Sequence, residues 1–472
     1  MTQKAPSRIL QYWPIVRTAA VIAGMLTVLL ALVYWGGTAR PGPLFVAGVA
    51  LLSGLILIFG LAIAWIYVGP PPASSAITTN QAELRQTVGV LALISASSFL
   101  VGIFWDEMWH RRYGGFGDDF LWPPHLLIYM SITLLLLFAA GALWIVVHGS
   151  GGLRARLRSE SQISLVGLVA MFLIASLPSD ELWHRIYGKD ITAWSLPHLM
   201  MAGGVSLIAL GATSLALAST PIPTRWRGLR ALKRVEWLAL LLVAVATVLI
   251  IQFGTSEWDG VRSLQPEGGV FRDAFWLRPQ WLYPVVVVSV ALFSSNVALH
   301  LLRCAGVATI VALLVLGFRL ACLAALGGET HQLAIGYTAH LLLIAPALAL
   351  DGWYLVRADH ADALGTLVGG NIIAALVFLA VSLPIISRML IYPPVNSYTA
   401  PWMSGMSMIM ALAAGWTGAR FGGWLGALDR PSAVVPVRRR VIVFTFAGCS
   451  IVVLVTLSIM LTAKSPASIG LL

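Results

Sequence analysis

Two stretches of the chain carry the same ligand-type residues at nearly the same spacing. Asp106 and His110 stand four residues apart with His125 following 15 residues later, and Asp180 and His184 repeat the step with His198 following 14 residues later. A carboxylate and an imidazole four apart on a helix lie on one face, close enough to share an ion. His125 and His198 each follow a proline, Pro124 and Pro197, a residue suited to the first turn of a helix. Each loop can therefore fold back and bring its second imidazole over the Asp/His pair. One carboxylate and two imidazoles per stretch form a transition-metal donor set, which suits non-haem iron(II), zinc or copper without selecting among them. The neighbouring carboxylates Glu107, Glu181, Asp118, Asp119 and Asp190 are placed to orient imidazoles as acceptors or to solvate the loops. The competing structural reading pairs each Asp with Arg111, Arg112 or Arg185 and leaves His and Trp to fix a membrane interface.

Four of the nine histidines belong to these two sets. Glu329, His331 and His340 make a weaker third candidate for metal, because nine residues of helix place His331 and His340 about 13 Å apart. A further segment ending LRPQWLYP has Glu257, Asp259 and Asp273 but Gln280 where the histidine would stand, and reads as a decayed copy. His148, His300 and His360 fall near the opposite boundary and read as satisfied polar residues. Cys304, Cys322 and Cys449 have no CxxC spacing and read as packing residues.

The elements that must position these ligands are membrane helices. The chain has 472 residues, 59% hydrophobic and only 10% charged, with a mean hydropathy of +0.88. Too little charge is present to solvate soluble domains of that length, and apolar runs of about 18–25 residues recur from end to end. An all-α, polytopic bundle of about thirteen spans follows, near 15–37, 43–68, 87–105, 121–147, 161–178, 194–218, 235–254, 280–301, 304–326, 333–354, 363–384, 396–418 and 441–462. The first run is too long for a signal-peptide core and is expected to stay as a span. A cytoplasmic N-terminus puts most of the 30 Lys and Arg on the inner side, among them Arg154, Arg156, Arg158 and Arg438–Arg440, and puts the C-terminus and both ligand sets outside. This accounts for the net charge of +11 by topology. The basic residues form no patch on a folded domain, so nucleic acid is not an expected partner. Arg319 falls inside the ninth span and should face the bundle interior.

Asp106 and Asp180 are one helix pair apart, so the chain contains a duplicated helix–loop–helix hairpin matching D-E-x-W-H-R-x-Y-G, then Asp, Trp and P-H-L. Three regions result: 1–86 with two spans, 87–218 with the two hairpins, and 219–472 with a further bundle of degenerate copies.

The segments DELWHRIYGKDITAWSLPH and DEMWHRRYGGFGDDFLWPPH resemble the metal-binding stretch of the C subunit of copper-containing particulate methane and ammonia monooxygenases. That family carries D-x2-W-H, an interior Asp and a Pro/His start to the next helix. The resemblance covers about 87–218 and implies copper at Asp180, His184 and His198, with Asp106, His110 and His125 as a second set. Here the chain is longer, both sets begin with Asp, and the interval to the second His is slightly longer. The expectation is an integral protein of the cell (inner) membrane that binds copper and oxidises a small apolar substrate with O2, in company with membrane or periplasmic subunits. Iron or zinc would keep the site and change the chemistry. A non-catalytic scaffold and a metal- or proton-coupled transporter are the other readings, the latter needing ionisable residues such as Arg319 and His340 deep in the bilayer.

Overall fold

The structure is a computed structural model, and it describes residues 66, 78–113, 123–148, 151–187, 196–259, 282–326, 338–385, 401–431, 433–435, 443 and 447; at 107–113, 138, 139, 142, 145, 172, 175, 181–187, 196, 256–259, 338 and 401–403 only the backbone is described. The described residues are α-helical with no strand, as the apolar runs require: in hydrocarbon a lone segment satisfies its own N–H and C=O groups only as a helix. The helices are α1 (Thr79–Tyr113), α2 (Pro123–Val147), α3 (Leu153–Ser159), α4 (Ser161–Tyr187), α5 (Leu196–Ala216), α6 (Arg234–Asp259), α7 (Leu282–Leu302), α8 (Val307–Leu326), α9 (Thr338–Leu341), α10 (Ile344–Val356), α11 (Leu364–Val377) and α12 (Pro401–Ala427). Among the described residues eight helices are long and apolar enough to cross a membrane, beginning at Thr79, Ser161, Pro197, Arg234, Leu282, Val307, Ala339 and Leu364. They coincide with eight of the expected spans. The expected spans at 121–147 and 396–418 correspond to α2 and α12, and those at 15–37, 43–68 and 441–462 lie outside the described residues, Ile66 and Val443 apart.

Local sequence sets the helix starts. Thr78 caps α1 through Gln81: the Gln81 amide donates to Thr78 Oγ1 at 3.3 Å and the Thr78 amide to Gln81 Oε1 at 2.9 Å, a reciprocal capping box. Within the helices, buried hydroxyls donate to the carbonyl one turn back, as Ser98 does to Ile94, Ser131 to Leu127 and Thr247 to Val243, so they add no unmet polar group to the core.

Helix α1 packs against α2, α5 and α6, α4 against α2 and α5, and α6 against α7 and α8, so the two hairpins α1/α2 and α4/α5 stand side by side. Along α12, Gly418, Gly422 and Gly426 lie against the carbonyl oxygens of Phe293, Val297 and Leu301 on α7, an approach that leaves no room for a Cβ. At the end where α1 begins, Arg85 reaches Glu160 at 2.7 Å and Gln162 at 3.3 Å, while Arg227 meets Glu236 at 2.7 Å. Asp351 of α10 ties down the start of α8, accepting from the Gly306 amide, the Thr309 amide and the Thr309 hydroxyl, each at 2.7 Å. Gly306 has φ +96°, a left-handed turn that only glycine takes without strain, and Leu229 packs where a side chain would go. These ties hold the ends of the bundle where α3 and the α5–α6 connection lie, away from the ligand sets.

Candidate metal centre

Asp106 and His110 both lie on α1, which runs unbroken to Tyr113, and Asp180 and His184 both lie on α4, which runs to Tyr187. Each pair of positions is therefore one helical turn apart on one face. The partner helices start where the sequence places prolines. Helix α2 opens Pro123-Pro124-His125 and α5 opens Leu196-Pro197-His198, which sets the second histidine in the first turn, facing back toward the helix before it.

The two hairpins produce the same encounter. His125 Nε2 lies 3.2 Å from Asp106 Oδ1, and His198 Nε2 lies 3.6 Å from Asp180 Oδ1. All four side chains are partly buried, from 14% exposed for Asp180 to 30% for His198, so the groups are partly desolvated yet reachable from outside the bundle. At the first distance the two atoms are in ion-pair contact without the geometry of a hydrogen bond. The second is too long for one and is the spacing of two groups beside a common centre. In both hairpins the described contact is Asp with His; Arg111, Arg112 and Arg185, the partners of the structural reading, have side chains outside those described.

Local packing differs between the hairpins. Gly102, one turn before Asp106, lets α2 come close: a Cβ there would stand 2.8 Å from Ile128 Cγ1 and 3.2 Å from the Ile128 nitrogen. The matching position in α4 is Ser176, buried, with its hydroxyl on the Leu173 carbonyl at 2.6 Å. Pro178 sits inside α4 two residues before Asp180, where it removes a backbone donor and breaks the regular hydrogen-bond ladder. The His125 ring is 6.1 Å from that of Tyr129, one turn into α2.

Of the other expected ligands, Glu107, Glu181, His110 and His184 are placed by backbone alone, and Asp118, Asp119, Asp190, Glu329 and His331 lie outside the described residues. His340 is fully buried on α9. Among the described residues no group of three or more His, Cys, Asp or Glu side chains comes together, and the side chains of His110 and His184 are not among those described.

Two of the three histidines read as satisfied are so: His300 Nε2 is 2.9 Å from the Tyr354 hydroxyl and His148 Nδ1 is 3.0 Å from the Trp144 carbonyl. Cys304 and Cys322 are buried, and burial pushes the Cys304 thiol up to about 11. Arg319 is wholly buried, as its place in a span requires, with its guanidinium carbon 4.2 Å from the centre of the Phe104 ring on α1. Asp351 and the Arg85–Glu160 pair were not legible as structural ties, since nothing in their local sequence announces partners 42 to 75 residues away. No protein family, curated protein or solved structure matches the chain.

Proposed function

We propose that the two hairpins are transition-metal sites of an integral membrane metalloprotein, with Asp180, His184 and His198 holding one ion and Asp106, His110 and His125 a second. The observation that carries this reading is the recurrence of the Asp–His encounter at 3.2 and 3.6 Å in two separate hairpins. Two donors each about 2.0–2.1 Å from a tetrahedral ion stand about 3.3 Å apart, so both pairs have ligand spacing. The helical backbone adds a second imidazole position one turn beyond each Asp. The donor set fits copper, with iron and zinc as competitors for the same atoms.

In this reading the hairpins are duplicated units of a bundle of about thirteen spans. The protein sits in the cell membrane with its N-terminus cytoplasmic and the metal sites outside, and it resembles the C subunit of particulate monooxygenases. Bound copper would supply one-electron chemistry with O2. The chain's own part is to hold and dry the site. The Asp carboxylate offsets the ion's charge, the Pro-His helix start fixes the imidazole direction, and the apolar faces of α1, α2, α4 and α5 limit water while admitting an apolar substrate from the bilayer. Electrons come from a partner subunit or a lipid-soluble donor, since no redox domain is legible in the chain.

A second reading has support in the same contact: at 3.2 Å, Asp106 and His125 also suit a plain ion pair that latches the hairpin without metal. Electron paramagnetic resonance on protein loaded with one Cu(II) per hairpin separates the two. Nitrogen hyperfine splitting that weakens in His125→Ala and His198→Ala supports the metal reading. A free-copper spectrum in the wild type would leave only the latch.

A further inference from the structure

The connection between α5 and α6, at the end of the bundle away from the ligand sets, is built as a fixed strap. The Arg227 amide donates to the Arg303 carbonyl at 3.0 Å and the Ala305 amide to the Arg227 carbonyl at 2.9 Å, which joins the strap to the α7–α8 turn. Trp226 stacks on Tyr354 with 4.8 Å between ring centres and its indole N–H donates to Asp362 at 3.2 Å, while Arg430 Nε donates to the Thr220 carbonyl at 2.7 Å. The same ties engage two carboxylates: Glu236 faces Arg227 at 2.7 Å, and Asp362 has Trp226 and, at 3.9 Å, Arg303. Four other cations of the strap are left out. Arg225, Arg230, Lys233 and Arg234 are exposed and stand within ten residues, in a stretch, 219–235, that contains no Asp or Glu. Their side chains have no partner among the described residues, whereas Arg154, Arg156 and Arg158 of α3, at the same end, are half-buried and engaged. Ile222 and Leu229 on the strap and Trp237 in the first turn of α6 are exposed beside these cations.

We propose that this strap binds the headgroups of anionic phospholipids, with Arg225, Arg230, Lys233 and Arg234 meeting the lipid phosphates and Trp237 and Leu229 at the acyl boundary. Position selects the occupant. Helix α5 ends at Ala216 and α6 begins at Arg234, and both are long and apolar enough to cross the membrane, so the strap that joins them lies at the bilayer surface. Anionic headgroups attract exposed Lys and Arg there, within a screening length of about 8 Å. The long side chains keep their charge among the headgroups while their stems lie on apolar surface, and an indole at a span end sits in the same layer. Because the backbone is already pinned, little ordering is lost when the cations engage. The proposal rests on the membrane-spanning helices and is independent of the metal reading, since no residue of the strap belongs to a metal set.

The test is native mass spectrometry of the full-length, chelator-treated protein in mild detergent, titrated with equal amounts of dioleoylphosphatidylglycerol and dioleoylphosphatidylcholine. The tightest adducts are expected to be phosphatidylglycerol. Each surface cation is worth about a fivefold preference for anionic lipid, so Arg225→Ser/Arg230→Ser/Lys233→Ser/Arg234→Ser should lower that preference by at least about tenfold. Arg225→Lys/Arg230→Lys/Arg234→Lys, which keeps the charge, should retain it, and so should His184→Ala/His198→Ala. Retained monodispersity on gel filtration shows that a variant is folded. Equal uptake of the two lipids by the wild type, an undiminished preference in the serine variant, or displacement of phosphatidylglycerol by an equal concentration of sodium phosphate overturns the assignment.

Discussion

Replacing Gly102 by alanine tests the link between helix packing and ligand geometry. The added Cβ would stand 2.8 Å from Ile128 Cγ1 and 3.4 Å from the Pro124 carbonyl oxygen. Carbon atoms rest at about 3.5–4.0 Å, so α1 and α2 must separate locally by about 0.7–1.2 Å. His125 lies between Pro124 and Ile128, in the turn that moves, so its distance from Asp106 should grow from 3.2 Å toward about 4 Å. Metal ligand distances tolerate about 0.2 Å, and a shift of this size should weaken the first site by about 10- to 100-fold. The overpacking itself should cost about 1–3 kcal/mol of stability. The assay is copper affinity by competition with a chelator, in a His184→Ala/His198→Ala background that leaves only the first hairpin. Ser176→Ala, which removes a hydroxyl bonded within α4, serves as a control and should leave the first site unchanged. Undiminished copper affinity in Gly102→Ala would refute the argument that this close approach positions His125.

The remaining expectations concern the scaffold. Asp351→Ala strips partners from the Gly306 and Thr309 amides at the start of α8 and should destabilise the protein by about 2–4 kcal/mol, read as a lower midpoint in detergent denaturation; an unchanged midpoint contradicts the tie. Gly422→Ala forces a Cβ into the Val297 carbonyl and should cost at least as much as Gly102→Ala, whereas Gly423→Ala, whose Cβ meets nothing, should be near neutral in the same assay. With its thiol pushed up to about 11 by burial, Cys304 stays protonated through pH 8 and should resist iodoacetamide in mild detergent. Rapid alkylation, seen by mass spectrometry at pH 8, would show that the α7–α8 turn opens.

How much was legible follows the range of the forces involved. Runs of apolar residues set helix positions locally, which is why the expected spans at 161–178, 235–254 and 363–384 lie within or against α4, α6 and α11. The Asp–His encounters were legible because proline at a helix start and a four-residue step are local geometry as well. The closeness allowed by Gly102, the stacking of Arg319 on Phe104 and the reach of Asp351 across to α8 depend on which helices become neighbours, and no single segment encodes that. The sequence marked Arg319 as buried by its cost in a span; its aromatic partner on α1 required the fold.

The most direct test of the central claim is metal content by elemental mass spectrometry on the full chain purified in mild detergent, beside His110→Ala/His125→Ala and His184→Ala/His198→Ala. The account predicts stoichiometric copper in the wild type, with one equivalent lost from each double variant. No transition metal in the wild type, or the same metal content in all three proteins, contradicts it.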